Sequence, residues 1–453
     1  MVSYMPPSVR RAAAKHTADL LHVGHLLPIG TLQSLQYLAD LETTPDASHS
    51  TPVLSVCWTQ RAILSADLSG ALKAWDPTTL LAACTLPQPH SNSVHALSTD
   101  RDTRYVLSSS IDGSVALWDT GLLPRTASAE AGTEEGDAAP QGDETIGDQV
   151  EHDAASSRQG PLVAAAPEEV VVCRTDTIAS SSDGVSEAWS TALHPTLPVF
   201  ASVGIGARPS LHSASRDDFG SLVAISPPHT AAAAAPDSSS LFGTKLALHA
   251  EGSLLAVGTS TGQVFLYALG QGEDGEGWSL DLLTTYADHA LPVRALHFDA
   301  KDHLVVGCDD LVVTLHDVRA QRRGGGDAPS ATRLGGTVAA LQGHRGWIMD
   351  VKSCPTAQGR IVATSSTDRT IKLWDLAVTP KSCVCTCTEL DEVWCIDWRP
   401  TPPLRGGQEE RGGDRSVWTA TTASTSTGGL GQGSKFVTGG HDGRVRMYRS
   451  AGV

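Results

Sequence analysis

The sequence lacks the long apolar runs that a membrane or secreted protein needs. No stretch approaches the roughly 20 apolar residues that cross a bilayer, and the first residues, MVSYMPPSVRRAAAKH, contain no apolar core of a secretory signal. Nine cysteines, an odd number scattered over 453 residues, argue against a disulfide framework. We therefore expect a soluble, intracellular protein with reduced thiols and no membrane partner.

Common catalytic and nucleotide-binding signatures are also missing. The chain has no G-x-x-x-x-G-K-[ST] loop, no G-x-S-x-G turn and no H-E-x-x-H helix. The glycine-rich GGLGQGSK at 428–435 has the wrong spacing for a phosphate loop. The cysteines of CVCTC at 383–387 are spaced by two, which predicts one face of a strand rather than the C-x-x-C pair of a zinc site. We expect no enzymatic activity, no cofactor and no metal.

Basic residues are too few to balance the acidic ones. The formal net charge is −17, and acidic residues concentrate at 129–183, where only Arg158 and Arg174 oppose them. An acidic surface disfavours binding that depends on nucleic-acid phosphates. We therefore expect no direct contact with nucleic acid.

One short pattern recurs along the chain. SSTDRTIKLWD at 365–375 reappears as SSSIDGSVALWD at 108–119, each with an Asp six residues before a Trp. Weaker copies, which keep the polar turn and the alternation after it, lie at 65–76, 258–267, 307–317 and 439–448. In four copies a His stands 26 to 30 residues before the Trp or its substitute. Such a repeat predicts one structural unit per copy.

These copies resemble the repeats of WD-repeat β-propellers, in which about 40 residues form a four-stranded blade. The resemblance implies an all-β, seven-bladed WD-repeat propeller with long disordered loop insertions. We predict blades at approximately 49–82, 90–122, 184–228, 239–284, 289–320, 337–388 and 389–449. Since an open sheet edge would otherwise remain, we expect LQSLQYLADL at 32–41 to complete the last blade, so that the propeller occupies 32–450.

Segments between the predicted blades have compositions that do not suit a core. The acidic stretch 123–182 and the Gly-, Thr- and Ser-rich stretch 401–434 are predicted to be disordered insertions. The same prediction applies to the shorter segments 206–218, 229–238 and 321–333. We expect residues 1–31 to form a flexible N-terminal segment.

A hydrogen-bonded network is expected inside each regular blade. A loop His, a hydroxyl on the second strand, an Asp in the next turn and a Trp on the third strand can satisfy one another's buried polar groups. Carried over from the resemblance, two such networks consist of His344, Ser366, Asp368 and Trp374, and of His90, Ser110, Asp112 and Trp118. Elsewhere the pattern is broken, and we expect those blades to depend more on packing.

A second set of residues is predicted to lie near the mouth of the ring. In the repeat, the residue five positions after the loop His begins the inner strand, and His95, Arg294 and Met349 occupy that position. The apolar frames of EVWCIDW and EAWSTALHP place Trp394 and Trp189 there as well. Large apolar side chains with a polar group are typical of interaction hot spots.

Trp347 is expected to join this set. It stands two residues before Met349, and side chains two apart on a strand point the same way. We predict that one surface, here called the rim, binds partner proteins through His95, Trp189, Arg294, Trp347, Met349 and Trp394. The alternative for the tryptophans is packing between blades.

Several segments resemble, in order, the WD-repeat subunits of the superkiller complex: EAWSTALHP, GHRGWIMDVKSCP, SSTDRTIKLWD, DEVWCIDW and the ending GGHDGRVRMYRSAGV. The resemblance implies a non-enzymatic scaffold that binds a tetratricopeptide-repeat subunit and, with it, a DExH-box RNA helicase that feeds RNA to the exosome for 3′-to-5′ messenger decay. It also implies work in cytoplasm and nucleus, since family members act beside the meiotic DNA-cleaving protein or join a transcription-elongation complex.

Two alternatives stay open from the sequence. One is a WD-repeat adaptor of another complex, serving chromatin or ubiquitin ligation, which predicts different co-purifying proteins. The other is a propeller hydrolase in which His95, His297 or Asp350 gather near the channel. The hydrolase predicts turnover or a bound metal.

Overall fold

The computed structural model describes residues 35–41, 48–124, 165–176, 178, 188–227, 241–272, 277–319, 337–401 and 434–450. The predicted segment 1–31, the predicted insertions 229–238 and 321–333, and all but the ends of 401–434 lie outside these residues. Within the described ranges, no helix combines the length and the apolar character needed to cross a bilayer.

Four-stranded antiparallel sheets make up almost all of the described chain. The first blade contains β2 (Val53–Trp58), β3 (Ile63–Asp67), β4 (Leu72–Trp75) and β5 (Ala82–Cys84). The second contains β6 (Val94–Thr99), β7 (Tyr105–Ser110), β8 (Val115–Asp119) and β9 (Val171–Thr175). The third contains β10 (Ser190–Leu193), β11 (Val199–Val203), β12 (Ser210–Ser213) and β13 (Leu222–Ile225). The fourth contains β14 (Gly243–Leu248), β15 (Leu254–Thr259), β16 (Val264–Gln271) and β17 (Trp278–Tyr286).

The remaining sheets follow the same plan. The fifth blade contains β18 (Val293–Phe298), β19 (His303–Cys308), β20 (Val312–Asp317) and β21 (Thr337–Gln342). The sixth contains β22 (Ile348–Ser353), β23 (Ile361–Ser366), β24 (Thr370–Asp375) and β25 (Ser382–Thr388). The seventh contains β26 (Val393–Trp398), β27 (Lys435–Gly440), β28 (Val445–Ser450) and β1 (Leu35–Asp40). Short 3₁₀ turns occur at Thr120–Leu122, Glu168–Val170 and Pro355–Ala357.

The seven sheets form a closed ring. The first strand of each blade contacts the first strands of both neighbouring blades, and β2 of the first blade contacts β26 of the seventh. The second strands β7 and β23 are buried along almost their whole length, because each sheet packs on both faces against another blade. The prediction of a seven-bladed WD-repeat β-propeller is confirmed.

Strand β1 completes the seventh sheet. It comes from the predicted closing segment 32–41 and pairs antiparallel with β28, with Leu35 opposite Ser450. The carboxylate of Asp40 accepts a hydrogen bond from Arg444 at 3.0 Å, which ties the end of β1 to the same blade. An N-terminal strand therefore covers the edge of the last blade.

The inner edge of each sheet is a first strand with no backbone partner on that side. Side chains from the preceding blade reach this edge: Ser55 accepts a hydrogen bond from the backbone N–H of Leu97 at 3.1 Å. Across the ring closure, Asp397 accepts one from the N–H of Trp58 at 2.8 Å. Other side-chain hydrogen bonds join the remaining neighbours: Ser98 with Leu193, Ser190 with Leu246, Thr244 with Val293, His297 with Ser353, and Asp350 with Ile396.

Some predicted boundaries are wrong. The segment 123–182 was predicted to be a disordered insertion, but it contains β9, which pairs with β8. The predicted insertion 206–218 contains β12, the third strand of its blade. Strand β21, predicted to open the sixth blade, belongs to the fifth. In the first two cases a short strand lies among polar residues, so composition hides it.

The sixth blade contains a complete polar network, with one correction to the prediction. His344 contacts Asp368 through Nδ1 at 2.9 Å and a hydroxyl through Nε2 at 2.6 Å, but that hydroxyl belongs to Thr364, not Ser366. Trp374 Nε1 donates to the same Thr364 oxygen at 2.9 Å. Ser366, two residues further along the same strand face, instead accepts a hydrogen bond from the N–H of Asp368 in the turn.

The second blade requires the same correction. His90 Nε2 and Trp118 Nε1 meet the hydroxyl of Ser108 at 2.7 and 2.9 Å, not that of the predicted Ser110. Ser110 instead donates to the backbone carbonyl of Asn92 at 3.1 Å. Asp112 joins the network indirectly, since Ser114 bonds both Asp112 and His90 Nδ1.

The first blade contains a complete network that the sequence reasoning took to be broken. His49 contacts Ser65 at 2.7 Å and Asp67 at 2.9 Å, and Trp75 Nε1 donates to Ser65 at 2.8 Å. The carboxylate comes from the end of the second strand, two residues before the expected turn position at Ser69. Burial disfavours the ionised Asp67, but the hydrogen bonds from His49 and Ser69 outweigh it and lower the pKa of this carboxyl to about 2.

The seventh blade satisfies the same buried position with different chemistry. Glu389 stands where the first, second, fifth and sixth blades have a loop His, and it accepts hydrogen bonds from Thr438 at 2.9 Å and Arg446 at 2.7 Å. Arg446 also bonds Asp442, so the guanidinium links the loop and turn carboxylates. Tyr448 takes the place of the Trp. An ion-paired carboxylate and guanidinium therefore replace the imidazole of the other networks.

A β-bulge lies in the outer strand pair of every blade, at the Trp or its substitute. In the sixth blade the extra residue is Val384. Cys383 therefore packs with the core between blades five and six, whereas Cys385 and Cys387 pack with the core between six and seven. The prediction that the three cysteines share one strand face is wrong, because a bulge reverses the alternation.

We expect Thr364→Val to destabilise the protein more than Ser366→Ala. The valine leaves both His344 and Trp374 without their buried partner, which costs about 2 kcal/mol in the free energy of unfolding. Ser366→Ala removes only an acceptor at the turn and should cost about 0.5 kcal/mol. Urea denaturation of both variants measures the difference, and equal losses would contradict the network as described.

Acid should destabilise the propeller before most carboxylates titrate. Burial lowers the pKa of His90, His194 and His212 to about 4. The same cause lowers the pKa of His297 to about 3. Unfolded histidines titrate near about 6.5, so the unfolded state binds more protons below that pH and stability falls as the pH drops toward about 4. Burial raises the pKa of four carboxyl groups, which act in the opposite direction: Asp100, to about 6, and Asp309, Glu389 and Asp397. They are outnumbered by the six histidines whose pKa burial lowers, since His49 and His95 behave in the same way as the four named above.

Urea midpoints measured at about pH 7 and about pH 5 test this expectation. The midpoint should be lower at the acidic pH. A midpoint that stays constant or rises would show that these histidines are not held neutral by burial.

Candidate partner-binding site

In six of the seven blades, a bulge in the first strand places one residue at the upper face, which we define as the end of the ring where the first strands begin. In these six blades the pairing of the first and second strands shifts by one residue at the same place. The first-strand residue that has no partner on the second strand is Leu54, His95, Thr244, Arg294, Met349 or Trp394. Trp189 stands directly before β10 at the corresponding position of the third blade. These side chains are partly exposed, while the residue before each is buried.

An apolar row crosses the second, third and fourth blades at this face. The rings of His95 and Trp189 lie 4.3 Å apart, and Trp189 meets Phe242 edge-on at 5.0 Å. Phe242 pairs with Ile205, whose side chain is 61% exposed. We call Ile205, Phe242, Trp189 and His95 the apolar row. Burial, with the charges of Lys245 and Arg294, lowers the pKa of His95 to about 4, so the row is uncharged at neutral pH.

Arg294 connects the fifth and sixth blades. Its guanidinium lies 5.1 Å from the ring centre of Trp347, in a cation–π arrangement. It also donates to both carboxylate oxygens of Asp309, at 2.5 and 2.8 Å. Asp309 is buried, and this burial raises its pKa while Arg294 opposes the rise. Trp347 and Arg294 are therefore fixed relative to one another before any partner binds.

Trp394 completes the rim on the seventh blade. Its Nε1 donates to Glu392 at 2.9 Å, and its ring lies 5.3 Å from that of His441. His441 in turn contacts Asp391 at 3.4 Å. The indole is oriented by these polar neighbours but stays partly exposed.

Several residues of this face were missed by the sequence reasoning. Leu54 stands five residues after His49, so the same spacing rule would have found it. Thr244 and Phe242 follow no loop His, and Ile205 lies next to Phe242 only in the folded chain. The sequence therefore carries no signal for these three residues. Lys245, directly after the bulge residue Thr244, was missed for the same reason.

Among the described residues, no hydrogen bond joins the three residues suggested for a hydrolase. His95 on β6 and His297 on β18 are separated in the ring by β10 and β14. His297 Nε2 contacts Ser353 at 2.8 Å, and Asp350 accepts a hydrogen bond from the N–H of Ile396 at 3.2 Å. These contacts join neighbouring first strands, so His297 and Asp350 are accounted for by ring closure.

A cluster with metal-ligand chemistry lies in the fifth blade. Ligand atoms of His289, Cys308 and Asp310 all lie within 4.8 Å of one another. Both ring nitrogens of His289 already have partners, Asp310 at 2.7 Å and Thr314 at 2.8 Å. The Cys308 thiol donates to the carbonyl of Leu291 at 3.0 Å. The cluster is this blade's version of the polar network.

Comparison with known proteins agrees with the architecture. The family described as "WD40: WD domain, G-beta repeat" matches residues 83–119 and 335–375. The chain contains WD40 repeats and is a seven-bladed β-propeller. Its structure is similar to the crystal structure of the β-propeller domain of Cps50 (Swd1) from Myceliophteria thermophila, with a TM-score of 0.56 and 15% identity over 88% of this chain and 96% of that one. At that identity the likeness concerns the fold alone.

A curated relative matches part of this WD40 propeller. A ribosome biogenesis protein WDR12 homolog from Chlamydomonas reinhardtii is 29% identical over 157 residues, which is 34% of this chain. The match spans only 27% of the relative's length.

We expect Arg294→Leu to destabilise the propeller because it leaves the buried Asp309 carboxylate unpaired. The loss should be about 3 kcal/mol in the free energy of unfolding. The double variant Arg294→Leu/Asp309→Leu should recover most of that loss, since it removes the unpaired charge as well. Urea denaturation of the single and double variants measures the coupling energy between Arg294 and Asp309. A double variant that is less stable than Arg294→Leu would contradict the expected recovery.

Proposed function

We propose that this WD40 propeller is a non-enzymatic scaffold that binds short segments of partner proteins on the rim. The observation that carries the proposal is the repeated bulge, which directs one side chain from each of six blades toward the upper face. Bulges of this kind re-aim side chains at functional positions.

The composition of the rim supports a binding role. Trp189, Trp347 and Trp394 are all partly exposed, and tryptophan and arginine are the residues most enriched at binding hot spots. Each large side chain is oriented by neighbours within the propeller: Trp189 by Phe242, Trp347 by Arg294, and Trp394 by Glu392. Preorganised side chains lose less conformational freedom when a partner binds.

The placement of the longer connections between strands also supports the upper face as the binding surface. First and third strands run from the upper to the lower face, so connections from first to second and from third to fourth strands lie at the lower face. The three longest internal stretches outside the described residues, 125–164, 320–336 and 402–433, make such connections. Their attachment points lie away from the rim.

The resemblance to superkiller WD-repeat subunits supports one set of partners. In this proposal the rim binds a tetratricopeptide-repeat subunit and, through it, a DExH-box RNA helicase, so that the propeller serves exosome-linked messenger decay. The meiotic DNA-cleaving protein and a transcription-elongation complex are further partners under the same proposal, which places the protein in both cytoplasm and nucleus.

A second candidate follows from the similarity to the ribosome biogenesis WDR12 homolog, which covers about a third of this chain. In that candidate the rim binds assembly proteins of the ribosome instead. Both candidates use the propeller as a scaffold, and they differ only in the partners that co-purify.

Purification of the tagged chain from its native cells, followed by mass spectrometry, tests the proposal. We expect Trp394→Ala and Trp189→Ala to reduce partner recovery at least about tenfold, because hot-spot tryptophans cost about 2 kcal/mol or more when truncated. Trp278→Ala is the matched control, since this partly exposed Trp lies on the outer strand β17. Thermal melts of each variant check that the fold is intact.

The proteins recovered distinguish the candidates. A tetratricopeptide protein and an RNA helicase support the superkiller assignment, whereas ribosome-assembly proteins support the second candidate. Partner recovery that is equal for wild type, Trp394→Ala and Trp189→Ala would overturn the rim as the binding surface.

A further inference from the structure

Lys245 departs from its equivalents in the other blades. It follows the bulge residue Thr244 on the first strand β14. The residues at the same position in the other blades are all buried: Ser55, Ala96, Ser190, Ala295, Asp350 and Cys395. Lys245 alone among these positions carries a positive charge, and its side chain is partly exposed.

The ammonium group of Lys245 has no hydrogen bond or ion pair among the described residues. The neighbouring rim cation differs in this respect, since Arg294 is paired with Asp309. The equivalent residues Ser55, Ser190 and Asp350 all bond the neighbouring first strand, so the Lys245 side chain also leaves β14 at the inner edge of its blade.

The apolar row lies beside this unpaired cation. Phe242 directly precedes β14, and Trp189 from the third blade meets Phe242 edge-on. Ile205 extends the row outward and is mostly exposed. An apolar surface next to one unpaired cation is complementary to a peptide that carries an apolar side chain and a carboxylate close together.

We propose that Lys245 pairs with a carboxylate of the docked partner segment, while a neighbouring apolar side chain of that segment packs on Ile205, Phe242 and Trp189. The occupant is an acidic peptide segment of a partner protein. This inference rests on the proposed function, because it assigns the chemistry of the segment that the rim binds. A charge-assisted bond beside a partly apolar surface contributes both orientation and affinity.

Selection of a phage-displayed library of random short peptides on the purified full chain tests the inference. Enriched peptides are resynthesised with each Asp or Glu replaced by Asn or Gln, and affinities are measured by fluorescence polarisation. We expect the amide peptides to bind wild type about tenfold more weakly. With Lys245→Gln, acidic and amide peptides should bind equally, and Lys245→Arg should retain most of the preference.

Lys372→Gln is the matched control, since this lysine donates to Thr386 on the outer part of the sixth blade. It should preserve the acidic preference. The inference is overturned if no peptide is enriched, if enriched peptides lack carboxylates, or if Lys245→Gln keeps the preference. Peptides that lose binding to Trp394→Ala but not to Lys245→Gln overturn this inference alone and leave the scaffold proposal intact.

Discussion

The ring depends on how the inner edge of each blade is satisfied. A first strand has a backbone partner on one side only, and the other side faces the channel. Side chains of neighbouring blades supply the missing contacts, from Ser55 at one interface to Asp397 at the closure. Since unpaired strand edges invite association with other chains, these hydrogen bonds both close the ring and protect it. Every surface feature of the upper face is built on strands fixed in this way.

Behind that ring, five of the blades share a buried polar position that different side chains fill. His49, His90 and His344 use a hydrogen-bonded imidazole, whereas Glu389 uses a carboxylate ion-paired with Arg446. In these four blades the buried side chain at this position has a hydrogen-bond partner, as buried polar groups generally require. These blades therefore have the same buried position to satisfy, but the residues that satisfy it differ from blade to blade.

The architecture could be predicted from the sequence because the spacing of the repeat is retained even in copies where another residue replaces the Trp or the Asp. The interval between the loop His and Trp374 or Trp118 identified whole blades, and counting five residues from that His located His95 and Arg294. The hydroxyl partner was misplaced because Thr364 and Ser366 share a strand face, and alternation cannot tell which one an indole reaches.

Other features left no trace in the sequence. The bulge at Val384 reverses a strand face without any unusual residue, and β9 is a short strand inside an acidic segment. Phe242 reaches the rim only because a bridge with Ile205 joins two loops. Such features depend on contacts between residues that are distant in sequence, which a local pattern does not record.

Because of the first-strand bulge, residues at the upper face can change during evolution without changes in the sheets that support them. In the six blades that have the bulge, the residue before it is aliphatic or glycine: Val53, Val94, Gly243, Val293, Ile348 and Val393. The next residue has no opposite partner in the ladder, and in these blades it is Leu, His, Thr, Arg, Met and Trp. A side chain without a cross-strand neighbour can be exchanged without repacking the sheet. Natural selection can therefore change the recognition chemistry of such a ring one blade at a time, while its stability stays nearly constant.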